Sequence, residues 1–319
     1  MARVAFLGPP GTFTEEALLS QPDLAEQELV PCRSIPEVIG AVEADSADLG
    51  VVPIENSIEG SVNATLDTLA FGSTASARAL FVQREMVLGI TLNLCARPGT
   101  HLEDIRTVVS YPHASAQCRE WLAAKLPEAR VAAANSTADA AREVARSRRP
   151  GMAAVGTALA ATLYGLEIVA TAVEDRPGNQ TRFVVVGRDV APPSGHDKTS
   201  VVCFQSQDRP GSLLGILQEF AARAINLTKL ESRPTKRGLG EYCFFIDFDG
   251  HVADELVADA LRNLAAKSEL KFLGSYPVVG SDHGDAQRKA AGEAWRQASV
   301  WVEGLRASIR GHGTPGLTG

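Results

Sequence analysis

The chain has 319 residues, enough for two domains and a tail. Apolar residues make up 45% of it and the formal net charge is -7, so a sizeable core can form, and both global disorder and general nucleic-acid binding are disfavoured. No apolar run reaches the ~18 residues of a membrane span, and the first apolar run ends at Gly8, too early for a signal-peptide core.

Residues 3–7 read as a strand that enters Gly8-Pro9-Pro10-Gly11-Thr12-Phe13-Thr14, with a helix from about Glu15. A phosphate loop needs a longer glycine spacing and a Lys before the Thr, so this is not one. Two uses of the loop stay open. One is a structural turn with Thr14 as N-cap. In the other, backbone N–H groups and the Thr12 and Thr14 hydroxyls are presented to a carboxylate. Residues 28–32 read as a strand and 35–43 as a helix with Ile35, Val38, Ile39 and Val42 on one face. The strand at 48–52 runs into the polar stretch Pro53-Ile54-Glu55-Asn56-Ser57-Ile58-Glu59-Gly60-Ser61. Beyond it, Val62, Leu66 and Leu69 have helical spacing, with Ser61 as candidate N-cap. Ligands of open α/β sheets bind beyond the carboxyl ends of strands, and a helix start favours an anion. A capped connection that binds nothing accounts for the stretch equally well. The β-α-β-α-β-α order predicts a parallel, doubly wound sheet.

Between 79 and 95 two extended segments follow each other with no helix, as where a chain crosses to a second lobe. Strands at 106–109, 129–132 and 152–156 then alternate with helices at 114–126, 137–146 and 157–164, the last ended by Gly165. Residues 168–170 begin the return, and after the polar loop 174–182 an apolar strand covers 182–187. Two crossings, near 80–95 and 170–187, predict two lobes around a cleft of the kind that binds small molecules and closes on them. After a linker at 191–197 the order is β-α-β-β-α-β, with strands at 200–204, 226–231, 241–247 and 271–276, a ferredoxin-like module. A helix with Trp295 and Trp301 is expected over 286–309, then a Gly-rich end; this tail carries no legible chemistry and reads as peripheral or partly disordered. Five scattered cysteines and six dispersed histidines lack metal-ligand spacing, so reduced thiols in a cytosolic protein and no metal site are expected.

Three motifs in order, Gly8-Pro9-x-Gly11-Thr12, Pro53-Ile54-Glu55-Asn56-Ser57 with Gly60-Ser61, and Asn179-x-Thr181-Arg182-Phe183, resemble the prephenate dehydratases. Gly211-Ser212-Leu213-Leu214, Ile225-Asn226-Leu227-Thr228 and Glu231-Ser232-Arg233-Pro234 resemble the ACT regulatory domain fused to that enzyme. The resemblance covers roughly residues 1–278. It departs at Tyr111-Pro112-His113, where the family often has His-Pro-Gln, while Gln117-Cys118 matches; the family's later helix-opening Gly-Ser is here Gly156-Thr157.

The resemblance implies an α/β architecture: a two-lobed, doubly wound catalytic domain over 1–188, like a periplasmic binding protein with a cleft between lobes. Lobe one would span about 1–80 plus 175–188 and lobe two about 90–170. A βαββαβ ferredoxin-like ACT domain over 198–278 and a tail over 279–319 would follow. It implies a cytoplasmic lyase without cofactors that converts prephenate to phenylpyruvate in L-phenylalanine biosynthesis. L-phenylalanine would be its allosteric effector, and the assembly a homodimer or homotetramer. Thr181 is expected to donate a hydrogen bond to the departing hydroxyl, since a Thr alcohol is a poor proton reservoir near neutral pH. Glu55 is expected as a general acid or as a partner of Arg182, with Asn56 and Gln117 acting on the substrate beside it. Thr12, Ser57, Ser61, Asn179, Arg182 and Phe183 are expected to line the substrate site, Arg182 by a bidentate pair with a carboxylate unless it locks onto Glu55. Gly211, Ser212, Leu213, Leu214, Asn226, Glu231, Ser232 and Arg233 are expected to hold L-phenylalanine at a subunit interface, the helix start taking its carboxylate. Arogenate dehydration and non-catalytic amino-acid sensing are the competing readings. No helix-turn-helix or basic patch supports a transcriptional regulator.

Overall fold

A computed structural model describes residues 1–72, 79–205, 209–238, 240–279 and 285–308. The chain divides into two compact units, Met1–Ala191 and Pro192–Gly319.

The first unit begins with β1 (Arg3–Leu7), α1 (Phe13–Leu19), α2 (Pro22–Ala25), β2 (Glu28–Cys32), α3 (Ile35–Glu43), β3 (Leu49–Asn56), β4 (Gly60–Ser61), α4 (Asn63–Phe71) and β5 (Phe81–Gly89). A second lobe follows: β6 (Asn93–Ala96), β7 (Thr107–Ser110), α5 (Pro112–Ala116), α6 (Arg119–Lys125), β8 (Arg130–Ala133), α7 (Thr137–Arg146), β9 (Met152–Gly156), α8 (Ala158–Tyr164) and β10 (Glu167–Ala170). β11 (Gln180–Gly187) then returns to the first lobe. The first sheet has the order β2-β1-β3-β11-β5, with β4 on β3, and the second β10-β6-β9-β7-β8. β1 runs parallel to β2 and β3, and β7 parallel to β8 and β9. Both sheets are mixed rather than all-parallel, because β11 returns against β3 and β5, and β6 runs against β9 and β10.

Strand alternation decides which side chains enter which layer. In the second sheet Leu94, Val108 and Val155 join one core with Ala114, Cys118 and Leu122, while Cys95, Val109 and Ala154 join another with Ala140, Val144 and Ala160. Both faces are covered, so these strands are apolar almost without interruption. In the first lobe Phe183 and Val185 of β11 pack with Phe6, Leu18, Val51 and Met86. A buried side chain of this size contributes ~1.5–3 kcal/mol. Phe13 and Leu88 pack against both this core and one core of the second lobe.

Four local departures bear on the site. α1 is capped by Thr12 rather than Thr14, which is buried. β3 continues through Asn56, so half of the polar stretch is strand. Ser61 does not cap α4, whose N-cap is Val62; instead Gly60, at φ +80, turns the chain so that Gly60 and Ser61 pair back onto Asn56 and Glu55. The helix expected over 114–126 is two helices, broken at Gln117 and Cys118, which leaves Gln117 as the C-cap of α5.

The second unit contains β12 (Asp197–Phe204), α9 (Ser212–Ala221), β13 (Leu227–Pro234), β14 (Tyr242–Asp249), α10 (Glu255–Lys267), β15 (Glu269–Pro277) and α11 (Asp285–Ala307). Its antiparallel sheet has the order β13-β14-β12-β15. α9 and α10 cover one face, with Ile216, Phe220, Val257 and Leu264 against Val201, Phe244, Ile246 and Phe248. The Gly-rich end expected after α11 lies outside the described residues. Among the described residues no helix is long and apolar enough to cross a membrane.

Candidate active site

The register of β3 and β11 sorts the candidate residues. Thr181 pairs with Asn56, and Arg182 with Glu55. Neighbours along a strand point to opposite faces, so Thr181 and Asn56 share one face and Arg182 and Glu55 the other.

On the Thr181 face, Asn56 Nδ2 donates to Thr181 Oγ1 at 2.9 Å and to Asn179 Oδ1 at 2.8 Å. Asn56 Oδ1 accepts the backbone N–H groups of Ile58 and Glu59, each at 3.0 Å, which fixes the orientation of the amide. Ser57 Oγ donates to Asn179 Oδ1 at 3.2 Å and accepts from the Gln180 N–H at 2.9 Å. Asn179 is only 4% exposed, and its Nδ2 donates to Gln117 Oε1 at 3.0 Å. Gln117 Nε2 donates in turn to Glu59 Oε1 at 3.1 Å, and the other Glu59 oxygen lies 3.1 Å from His113 Nδ1. The His113 ring stacks on Tyr111 at 5.3 Å. The structure therefore joins Asn56, Ser57, Gln117, Asn179 and Thr181 in one polar network, with Gln117 contributed by the second lobe.

A hydroxyl offers one proton and two lone pairs. Thr181 receives the Asn56 N–H on its oxygen, so its own proton is available for a partner elsewhere. The Gln117 donor, and secondarily His113, holds the Glu59 carboxyl below its usual range despite partial burial. Cys118, next to Gln117, is no nucleophile: burial, helped by Asp175 and Glu174, pushes its thiol up to about 12. Asp175 ties the return loop down, its carboxylate accepting the N–H groups of Glu120 at 3.0 Å and Trp121 at 2.9 Å at the start of α6. Among the described residues no group of His, Cys, Asp and Glu side chains is arranged to hold a metal ion.

The other expected site residues are placed differently. Arg182 donates to Glu55 at 2.9 Å and to Glu85 at 3.3 Å, and Glu85 is only 3% exposed. Of the two expectations for Glu55, the structure shows the ion pair with Arg182, on the face away from Thr181. Phe183 is 1% exposed and belongs to the core under α1, not to the polar network. The Thr12 hydroxyl donates to the Leu7 carbonyl at 2.9 Å and accepts from the Glu15 N–H at 3.4 Å, a capping role that uses its proton. Ser61 lies in β4, paired with Glu55.

In the second unit Gly211 is the N-cap of α9 at φ +86, a conformation that suits glycine. Ser212 donates to the Arg209 carbonyl at 2.8 Å, Leu213 packs on the helix–sheet core, and Leu214 is exposed. Asn226 bonds Asp249 at 3.0 Å. Glu231 pairs with Arg233 at 3.1 Å and Lys229 at 3.5 Å, while Ser232 is exposed on the same strand.

Sequence reasoning missed Glu59, His113, Asp175 and Glu85 as partners. Glu59 and Gln117 stand 58 residues apart and meet only through tertiary structure. For Glu59 the signal in the sequence is a carboxylate beside a turn glycine.

A family model described as prephenate dehydratase matches residues 4–191, and one described as ACT domain matches residues 199–266. The prephenate dehydratase of Mycolicibacterium vanbaalenii is 46% identical over 325 residues, covering 96% of this chain and 99% of the relative. A solved prephenate dehydratase from Arthrobacter aurescens, in complex with L-Phe, is 40% identical with a TM-score of 0.84, covering 96% of this chain and 100% of that one. A protein described as a novel type of quorum quenching acylase is 31% identical with a TM-score of 0.76, covering 86% of this chain and 98% of its own.

Proposed function

The chain belongs to the prephenate dehydratase family, and on that premise we propose that its first unit converts prephenate to phenylpyruvate. The bond between ring and carboxylate breaks, its electron pair enters the ring, and the ring C–O bond breaks. Carbon dioxide leaves, and the departing hydroxide takes up a proton to become water. Because the ring becomes aromatic, the driving force lies in the substrate. The protein's work is to orient a dianion and to place a donor where negative charge develops.

Thr181 is that donor. The observation that carries this is the 2.9 Å bond from Asn56 Nδ2 to Thr181 Oγ1, which leaves the Thr181 proton to point away from Asn56. Asn179 holds the Asn56 amide, Ser57 holds Asn179, and Gln117 brings in the second lobe. The test is phenylpyruvate formation by the purified protein. Absence of product from prephenate would overturn the activity, and full turnover by Thr181→Ala would overturn the donor. Arogenate assayed beside prephenate decides between the two substrates. Ligand binding without product would favour a sensor.

L-phenylalanine is the effector in this reading, bound in the second unit around Gly211–Leu214 and Asn226–Arg233 of a homo-oligomer, and the enzyme serves cytoplasmic L-phenylalanine biosynthesis. The ACT match and the L-Phe bound to the Arthrobacter relative support it. Turnover with and without L-phenylalanine tests the coupling; identical rates under saturating effector would remove it.

A further inference from the structure

We propose that Glu59 is a positioning residue of this active site, setting the direction of the hydrogen-bond chain Glu59–Gln117–Asn179–Asn56–Thr181. The inference rests on the reading of Thr181 as donor.

A carboxylate only accepts hydrogen bonds. Gln117 must therefore turn its NH2 toward Glu59, as it does at 3.1 Å. That leaves Gln117 Oε1 to accept from Asn179 Nδ2 at 3.0 Å, and Asn179 Oδ1 to accept from Asn56 Nδ2 at 2.8 Å. The second Asn56 N–H is then directed to Thr181 at 2.9 Å. Glu59 also closes the circuit, because its own backbone N–H donates to Asn56 Oδ1 at 3.0 Å. Turning over any one amide would set two donors or two acceptors face to face and leave a polar group unsatisfied. Three primary amides are each able to flip, so the direction must be imposed from outside them. Backbone N–H groups impose it at one end, and the Glu59 carboxylate at the other. Glu59 and Asn56 belong to the first lobe and Gln117 to the second, so the circuit is complete only where the lobes meet. Glu59 touches no reacting atom in this scheme and acts through Gln117.

The test exchanges the two ends of the first link in the full-length protein, with kcat, KM and melting temperature measured on prephenate. In Gln117→Glu the new carboxylate faces Glu59, two acceptors across one contact, and kcat should fall roughly tenfold, as for loss of a hydrogen bond to a charged group. The double variant Glu59→Gln with Gln117→Glu restores a donor-to-acceptor link. The amide introduced at position 59 can donate to the carboxylate introduced at position 117, and that carboxylate can still accept from Asn179. It should recover most of the lost kcat, with KM changing less. Glu59→Leu should lower kcat like the single Gln117→Glu, and Glu59→Gln, which keeps an acceptor oxygen, should lower it less. A merely structural Glu59 would shift melting temperature in the single variants and give no rescue of kcat. If Gln117→Glu or the double variant does not fold, the Glu59→Leu and Glu59→Gln pair decides. The proposal is overturned if the folded double variant is no faster than Gln117→Glu, or if Glu59→Leu keeps wild-type kcat. An inactive wild type would instead overturn the dehydratase reading, so the two failures are told apart.

Discussion

Asn56 on β3 and Thr181 on β11 stand opposite each other in the sheet, and the Asn56 amide donates to the Thr181 hydroxyl oxygen across 2.9 Å. A threonine met by a donor on its oxygen is itself set up to donate. Thr181→Ala should therefore lower kcat by about 10²–10³-fold, the range seen when one donor to a developing negative charge is lost. Thr181→Ser should keep part of the rate. Asn56→Asp, which replaces the donor by an acceptor, should fall nearly as far as Thr181→Ala. Steady-state phenylpyruvate assays measure all three, and near-wild-type turnover in Asn56→Asp would refute the directional role of Asn56.

Arg182 is held by two carboxylates. It bridges Glu55 and Glu85, with Glu85 almost fully buried. Arg182→Met removes the cation and leaves the Glu85 charge buried, which costs about 3–5 kcal/mol when such a pair is broken. Urea unfolding of the isolated protein should show the loss, and Arg182→Met with Glu85→Gln should recover much of it. An Arg182→Met protein as stable as wild type would contradict the buried-pair argument.

The Glu59 carboxyl is held below its ordinary value of 4.5 by the Gln117 donor and by His113. Its folded-state pKa is depressed, so the stability this contact adds is fully present above pH about 4.5 and fades as pH falls through the lower folded value. The difference in urea midpoint between wild type and Glu59→Gln should therefore shrink on acidification through that window. A difference that stays constant from neutral to acidic pH would show that ionised Glu59 does not stabilise the fold.

Thr157 Oγ1 accepts from the Ala160 N–H at 2.8 Å, capping α8, and donates to the Gly11 carbonyl at 2.7 Å, from the second lobe to the first. Thr157→Ala loses both and should cost about 1–3 kcal/mol, a cap plus a buried hydrogen bond. Thr157→Ser should be close to neutral. Equal stability of the Ala and Ser variants in denaturant titration would remove the hydroxyl from the account.

Burial pushes the thiols of Cys95, Cys118 and Cys203 up to about 12. All five cysteines are buried and none is in a disulfide. Thiol-reactive dye at about pH 8 should label these three only after unfolding, because thiolate and access are both lacking in the native state. Fast labelling of Cys118 in the folded protein, located by peptide mass spectrometry, would show that the α5–α6 break opens.

By itself the sequence determined whatever depends on neighbours along the chain. β2 and α3 fall at 28–32 and 35–43, where strand-type composition and helical periodicity place them. The return strand, the lobe crossing and the β-α-β-β-α-β order are legible for the same reason, since period and turn chemistry act over a few residues. The polar segments 53–61 and 174–182 are visible as segments. Their internal assignment is not. Alternation puts Thr181 and Arg182 on opposite faces of β11, but nothing local says which face meets the second lobe, so in the sequence Arg182 and Phe183 look as suitable for a ligand as Thr181. Tertiary structure alone decided this, by seating Phe183 under α1, closing Arg182 onto Glu55 and Glu85, and bringing Asn56 to Thr181 across 125 residues of chain. Hydrogen bonds depend on distance and direction in space, and both are set here by sheet register and by how the lobes meet.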